Sequence, residues 1–178
     1  MTDGYTLWLT GLPGAGKTTI GERIAKDLCA QLLDGDAVRK SPLSLGAGFS
    51  PEERRAHLLR VAEVCRLLND NRVPVVACFV SPYAAVRAEV REHIGGGRFY
   101  EVFVQCSPEE CVRRDPKGLW TKAQNGEVQG LTGHDAPYEA PEAPALVLQT
   151  EEEDVDTSVA RLLEFVEEHV LTKLDQRR

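Results

Sequence analysis

Apolar positions come along this chain in two rhythms. Short continuous runs recur at Tyr5-Thr6-Leu7-Trp8-Leu9, at Gln31-Leu32-Leu33, and over residues 75–80, 99–104 and 145–148. Between them the spacing changes to three and four. Ile20, Ile24, Ala25 and Leu28 form one stripe, and Leu58, Val61, Ala62, Cys65 and Leu68 a second. Val159, Leu162, Leu163, Val166 and Val170 form a third within 155–174. The first rhythm predicts strands and the second predicts helices with one buried face. A run such as 75–80, apolar at every position, is what a parallel strand covered on both faces needs. Strands alternating with helices predict an α/β fold: a doubly wound, mainly parallel five-stranded sheet with helices on both faces.

The punctuation agrees. Ser50-Pro51-Glu52-Glu53 supplies an N-cap, a proline at the first helical position and a glutamate at the third. Asn71 and Pro74 close that helix, and Gly95-Gly96-Gly97 closes the next. Residues 40–50 read as a loop and 107–114 as a short helix. Residues 115–144 are polar, rich in glycine and proline and poor in core residues. That is long for a connection in a compact domain, and it predicts a functional segment such as a lid. No repeat and no second domain is visible, so residues 1–178 are expected to form one domain.

The first strand runs into Gly11-Leu12-Pro13-Gly14-Ala15-Gly16-Lys17-Thr18-Thr19, and a helix follows at once. Strand, glycine-rich turn and helix are the context that makes a G-x-x-x-x-G-K-[ST] match a phosphate-binding loop. Glycines let the backbone approach a polyphosphate without a Cβ in the way. Successive N–H groups at a helix start then bind the anion. Lys17 is expected to reach the outer phosphates, and the Thr18 hydroxyl to ligate Mg²⁺.

Composition narrows the class. Of 178 residues, 42% are hydrophobic and 28% charged, ordinary for a globular protein, and the formal net charge is −7. That balance argues against a nucleic-acid binder or an anionic-membrane binder, though a local cluster of cations still suits a small anion. No apolar run approaches the ~20 residues of a membrane span. The N-terminus enters a strand too early for a signal peptide. Five cysteines, an odd number without a C-x-x-C pair, point to reduced thiols and a cytoplasmic setting.

Further residues narrow the chemistry. Asp34 and Asp36 flank Gly35 at a strand end. One carboxylate can serve a metal shell while the other takes a proton from an attacking hydroxyl; a tight turn with two solvated acids is the alternative. Arg39 and Arg54 suit an anionic substrate or ordinary surface ion pairs. Arg113, Arg114 and Lys117 open the long polar segment, where cations can close over phosphates. Ser81 is a candidate substrate contact or a plain turn serine before Pro82. Phe49 can stack on a base or plug the core edge. His57 is a ligand or a satisfied helix histidine.

In this order the motifs resemble the adenylyl-sulfate kinases. The similarity runs from about Leu7 to Leu148. It is carried by the phosphate loop, Leu33-Asp34-Gly35-Asp36 with Arg39, Gly48-Phe49-Ser50 with Arg54, and Ser81-Pro82-Tyr83. Arg114-Asp115-Pro116-Lys117-Gly118-Leu119, Thr132-Gly133 and Pro137-Tyr138-Glu139 with Pro141 complete it. The resemblance implies transfer of the γ-phosphoryl of ATP to the 3′-hydroxyl of adenosine 5′-phosphosulfate, giving 3′-phosphoadenosine 5′-phosphosulfate for sulfate assimilation. It implies that Asp36 is, or lies beside, the base on that hydroxyl. Arg39 and Arg54 would grip the phosphosulfate, and Phe49 would stack on the acceptor adenine. The Val80 and Ser81 backbone, with His57 and Thr132, would contact the acceptor. Arg114 would serve ATP, and Lys117 would begin the lid. Ser81 also matches a serine proposed as a phosphoserine intermediate, although in-line transfer needs no covalent step. A homodimer is implied as well. The chain departs from the family pattern at Ala37, His57, Ala84 and Leu131, the last replacing half of an aromatic sandwich with a side chain that still covers a base. A P-loop kinase for another small anionic acceptor and a nucleotide-binding module without turnover are the competing readings.

Overall fold

Five parallel strands form the sheet of the computed structural model, which describes residues 4–172. They are β1 (Thr6–Thr10), β2 (Gln31–Asp34), β3 (Val75–Cys78), β4 (Phe99–Gln105) and β5 (Leu146–Gln149), in the order β2-β3-β1-β4-β5. Leu9 lies opposite Cys78 on one side and Val102 on the other, while Asp34 pairs with Cys78. The register therefore brings the carboxyl ends of β1, β2 and β3 to one edge, where open α/β sheets bind ligands.

Alternation along the strands builds two cores. Leu7, Leu9, Val76, Cys78, Val102, Val104 and Leu148 face α1 (Lys17–Asp27) and α7 (Val155–Phe165). Trp8, Val75, Ala77, Phe79 and Phe99 face α3 (Pro51–Asp70) and α4 (Ala84–Ile94). This is the predicted doubly wound fold, with helices on both faces. The capping box forms at α3: the Ser50 hydroxyl accepts from Glu53 N at 3.2 Å, and Ser50 N donates to Glu53 Oε2 at 3.0 Å. The last stripe begins as α7 and continues through a π-helical turn, Val166–Leu171. The remainder of the helix expected to reach Leu174 lies outside the described residues.

Three expectations change. Asp34 ends β2 as expected, but Gly35 and Asp36 neither extend the strand end nor form the alternative tight turn; they start a short helix, α2 (Gly35–Arg39). β3 ends at Cys78 rather than at Val80, and the chain then turns through a left-handed residue at Ser81 (φ 46°). The segment 115–144 is not poor in core residues. It follows α5 (Pro108–Arg114) and contains α6 (Leu119–Gln124), and it buries Trp120, Ala123, Leu131 and Thr132. Asp115 starts α6 by accepting from Trp120 N at 3.0 Å and Thr121 N at 2.9 Å.

Candidate active site

The phosphate loop leaves β1 against the neighbouring strand. A Cβ on Gly11 would stand 2.4 Å from the Val104 carbonyl oxygen, so only glycine fits. Gly14 and Gly16 take left-handed φ values of 89° and 100°, and Gly16 caps α1. Ala15 is fully buried beneath the loop. Lys17 folds back over it, and its ammonium donates to the Gly11 and Leu12 carbonyls at 2.8 Å each. Burial pushes this amine from the ordinary 10.5 down to about 8.

Asp34 joins the loop to α2. Its Oδ2 accepts from the Thr18 hydroxyl at 2.7 Å, and its Oδ1 accepts from Asp36 N and Ala37 N at 3.1 Å each. One carboxylate thus fixes a loop hydroxyl and caps a helix. Gly35 packs closely between the two acids: a Cβ there would stand 3.1 Å from the Cys78 carbonyl oxygen. The cap turns Asp36 outward, where it forms an ion pair with Lys117 from the opposite wall. That carboxylate holds the Lys117 ammonium above its ordinary pKa.

The walls enclose a cavity of about 1130 Å³. That is more than the roughly 300–1,000 Å³ of a site for one small ligand. Every predicted site residue lines it except Gly11 and Ala15, which are buried within the loop, and Arg113, which is exposed and pairs with Glu110. On the side away from the loop, Phe49 is 64% exposed, so it does not plug the core. The Arg39 and Arg54 guanidiniums lie 4.5 and 5.6 Å from its ring centre. Arg39 donates to the Ala47 and Gly48 carbonyls at 2.9 and 3.0 Å, and burial followed by the Arg54 charge lowers its pKa. Arg54 donates to the Phe49 carbonyl at 2.7 Å, the Thr132 hydroxyl at 3.1 Å and the Gly130 carbonyl at 2.6 Å.

His57 is 2% exposed; its Nδ1 is 3.4 Å from the Ser44 hydroxyl, and its Nε2 has no protein partner. Burial, then the charges of Arg39 and Arg60, lower its pKa from 6.5 to about 4. Leu131 is 8% exposed and belongs to the core that holds Leu12 and Trp120. Ser81 is also buried, and its hydroxyl accepts from the Trp8 indole N–H at 2.9 Å. This bond anchors the Ser81 hydroxyl in the cavity wall. The Val80 carbonyl accepts from the Thr10 hydroxyl at 2.7 Å.

Sequence reasoning missed several partners. Arg114 donates to Glu110 at 2.7 Å and to the Thr150 carbonyl, and the Thr150 hydroxyl donates to the Ala15 carbonyl at 2.8 Å. Trp120 donates from its indole to the Pro13 carbonyl at 3.0 Å. A tryptophan in a glycine-rich polar stretch was the available signal. Among the described residues no group of three or more His, Cys, Asp or Glu side chains is arranged to hold a metal. No described helix is long and apolar enough to cross a membrane.

Residues 3–149 match the family model for adenylylsulphate kinase. The chain belongs to the adenylylsulphate kinase family. It is 43% identical over 165 residues to the adenylyl-sulfate kinase of Staphylococcus haemolyticus, an alignment covering 90% of this chain and 82% of that protein. It is 48% identical over 170 residues to a probable adenylyl-sulfate kinase of Aeropyrum pernix, with 92% of each covered. The structure superposes with a TM-score of 0.87 on a Mycobacterium tuberculosis APS kinase in complex with AMPPNP and APS. That pair is 35% identical and covers 94% of this chain and 99% of the other. A Sinorhizobium meliloti gluconokinase, 19% identical with a TM-score of 0.69, shares the fold. This family member is an ATP-dependent kinase for adenylyl sulfate.

Proposed function

We propose that this one cavity holds both nucleotides, ATP over the phosphate loop and adenosine 5′-phosphosulfate against Phe49, so that the 3′-hydroxyl faces the γ-phosphorus. The observation that carries this reading is that Asp36 lines one cavity together with Lys17 and Thr18 of the phosphate loop and with Arg39, Phe49 and Arg54. In the transfer, the acceptor oxygen bonds to the γ-phosphorus while the bond to the β,γ-bridging oxygen breaks. The hydroxyl proton goes to the Asp36 carboxylate, and ADP leaves. Lys17 stabilises charge on the transferring group. Arg39 and Arg54 hold the phosphosulfate, Phe49 and Leu131 cover the acceptor base, and His57, Val80, Ser81 and Thr132 line its bed. Arg114 supports the ATP side.

The Thr18 hydroxyl backed by the Asp34 carboxylate fits Mg²⁺, which takes few protein oxygens and completes its shell with phosphates and water. Bound there, Mg²⁺ supplies neutralisation of phosphate charge. Lys117 and the segment 115–144 form a lid that closes over both substrates. We place the protein in the cytoplasm as a homodimer. The five free cysteines, four of them buried, support the compartment, and light scattering tests the dimer.

The decisive assay incubates protein, Mg²⁺, ATP and adenosine 5′-phosphosulfate and detects the 3′-phosphorylated product by mass. Product that vanishes in Lys17→Ala supports the reading. ATP binding without product removes the acceptor assignment.

A further inference from the structure

Arg87 lies on α4 outside the cavity and is 3% exposed. Its guanidinium bonds to three separate parts of the chain. Nε donates to Glu101 Oε1 on β4 at 2.6 Å, Nη1 to the Ser81 carbonyl at 2.8 Å, and Nη2 to the Glu139 carbonyl at 2.7 Å. The Tyr138 ring lies 5.9 Å away beside it. Only arginine offers donors in a rigid planar fork that can serve three such acceptors at once.

The two loops so clamped are also tied directly. Glu139 N donates to the Pro82 carbonyl at 2.8 Å, and Ala84 N donates to Glu139 Oε2 at 2.6 Å. Tyr138 OH lies 3.0 Å from the Thr10 hydroxyl, which donates to the Val80 carbonyl. Ser81 holds a left-handed backbone that a serine rarely adopts, and the Arg87 bond fixes its carbonyl in that state. Burying a cation is expensive, and a hydrophobic side chain would fill the space at less cost. What the arginine adds is orientation of the Val80-Ser81-Pro82 wall.

We infer that Arg87 is a positioning residue for the acceptor nucleotide, acting through the Ser81 and Glu139 carbonyls. The inference rests on the reading that the acceptor lies against this wall. On the same reading ATP lies over the phosphate loop, whose residues make none of these hydrogen bonds, so a defect in the clamp should fall on one substrate only.

The test is steady-state kinetics on Arg87→Lys and Tyr138→Phe. Lysine keeps the charge opposite Glu101 but cannot serve all three acceptors. In Arg87→Lys, KM for adenosine 5′-phosphosulfate should rise about tenfold, while KM for ATP stays within about twofold and kcat changes little. Tyr138→Phe leaves every Arg87 bond intact and removes only the hydroxyl tie; its acceptor KM should rise about threefold. Parallel rises in both KM values, or an unchanged acceptor KM in folded protein, overturn the inference. Should Arg87→Lys fail to fold, Glu101→Gln, which removes the charge that orients the Arg87 guanidinium, decides by the same criterion. Wild-type protein that does not turn over this acceptor would instead sink the functional reading.

Discussion

Asp36 and Lys117, 81 residues apart in the chain, meet as an ion pair across the cavity. Their side chains are 57% and 51% exposed, so the pair is weak in water and breaks readily. The contact joins the first turn of α2 to the start of the lid segment. In the mechanism proposed above, Lys117 leaves Asp36 for substrate phosphates, which frees the carboxylate to accept a proton. On that proposal the base and the cation that covers the phosphates are linked before substrates arrive.

Asp36→Asn keeps the shape and removes the proton acceptor. ATP affinity, read by titration calorimetry, should stay within about threefold, while kcat falls by about 10²–10⁴. Near-normal turnover would take Asp36 out of the mechanism.

At Asp34 two roles can be separated. Asparagine caps helices as well as aspartate does, so Asp34→Asn should preserve α2 and the melting temperature. It loses the charge beside Thr18, so turnover should fall and require more Mg²⁺. Asp34→Ala should in addition lose about 1 kcal/mol of stability from the cap. Equal Mg²⁺ dependence in wild type and Asp34→Asn would dissociate Asp34 from the metal.

Phe49→Ala separates binding from folding. A buried phenylalanine would cost about 3–5 kcal/mol. This ring is mostly exposed, so denaturant stability should change by less than about 0.5 kcal/mol. The acceptor KM should rise about tenfold or more from lost stacking. A large stability loss with an unchanged KM would place the ring in the core instead.

His57 predicts a pH dependence of stability. Its pKa falls from 6.5 to about 4 on folding. Between those values the unfolded chain binds more protons, so stability rises with pH and is lost as pH falls from 6.5 toward 4. The full effect is on the order of 3 kcal/mol. In urea melts from pH 4 to 7, His57→Asn should show a shallower slope than wild type. Parallel slopes would mean that His57 is solvated in the folded state.

The sequence revealed the fold where each element carried a complete local signal. The apolar run of β3, the Ser50 capping box and the phosphate loop needed no distant partner to be recognised. α2 was missed because five residues are too few for a helical period, although Asp34 followed by Gly35 and Asp36 is a serviceable cap. Trp120, Leu131 and Thr132 were hidden by their neighbours: the glycines and polar residues around them lower the apparent hydrophobicity of the whole segment. Arg87 could not be read at all. Its partners lie at Ser81, Glu101 and Glu139, and only the packed structure brings them to one guanidinium.

The placement of the two tryptophans gives the protein a built-in optical probe. Trp8 is fully buried, with Phe79 and Phe99 rings centred 5.3 and 6.0 Å away, where a ligand does not reach it. Trp120 lines the cavity and holds the Pro13 carbonyl through its indole N–H. A shift in fluorescence on adding nucleotide therefore reports on the phosphate loop through Trp120 and on the Ser81 wall through Trp8, and Trp8→Phe leaves the loop signal alone. Binding can be followed in real time without labelling the chain.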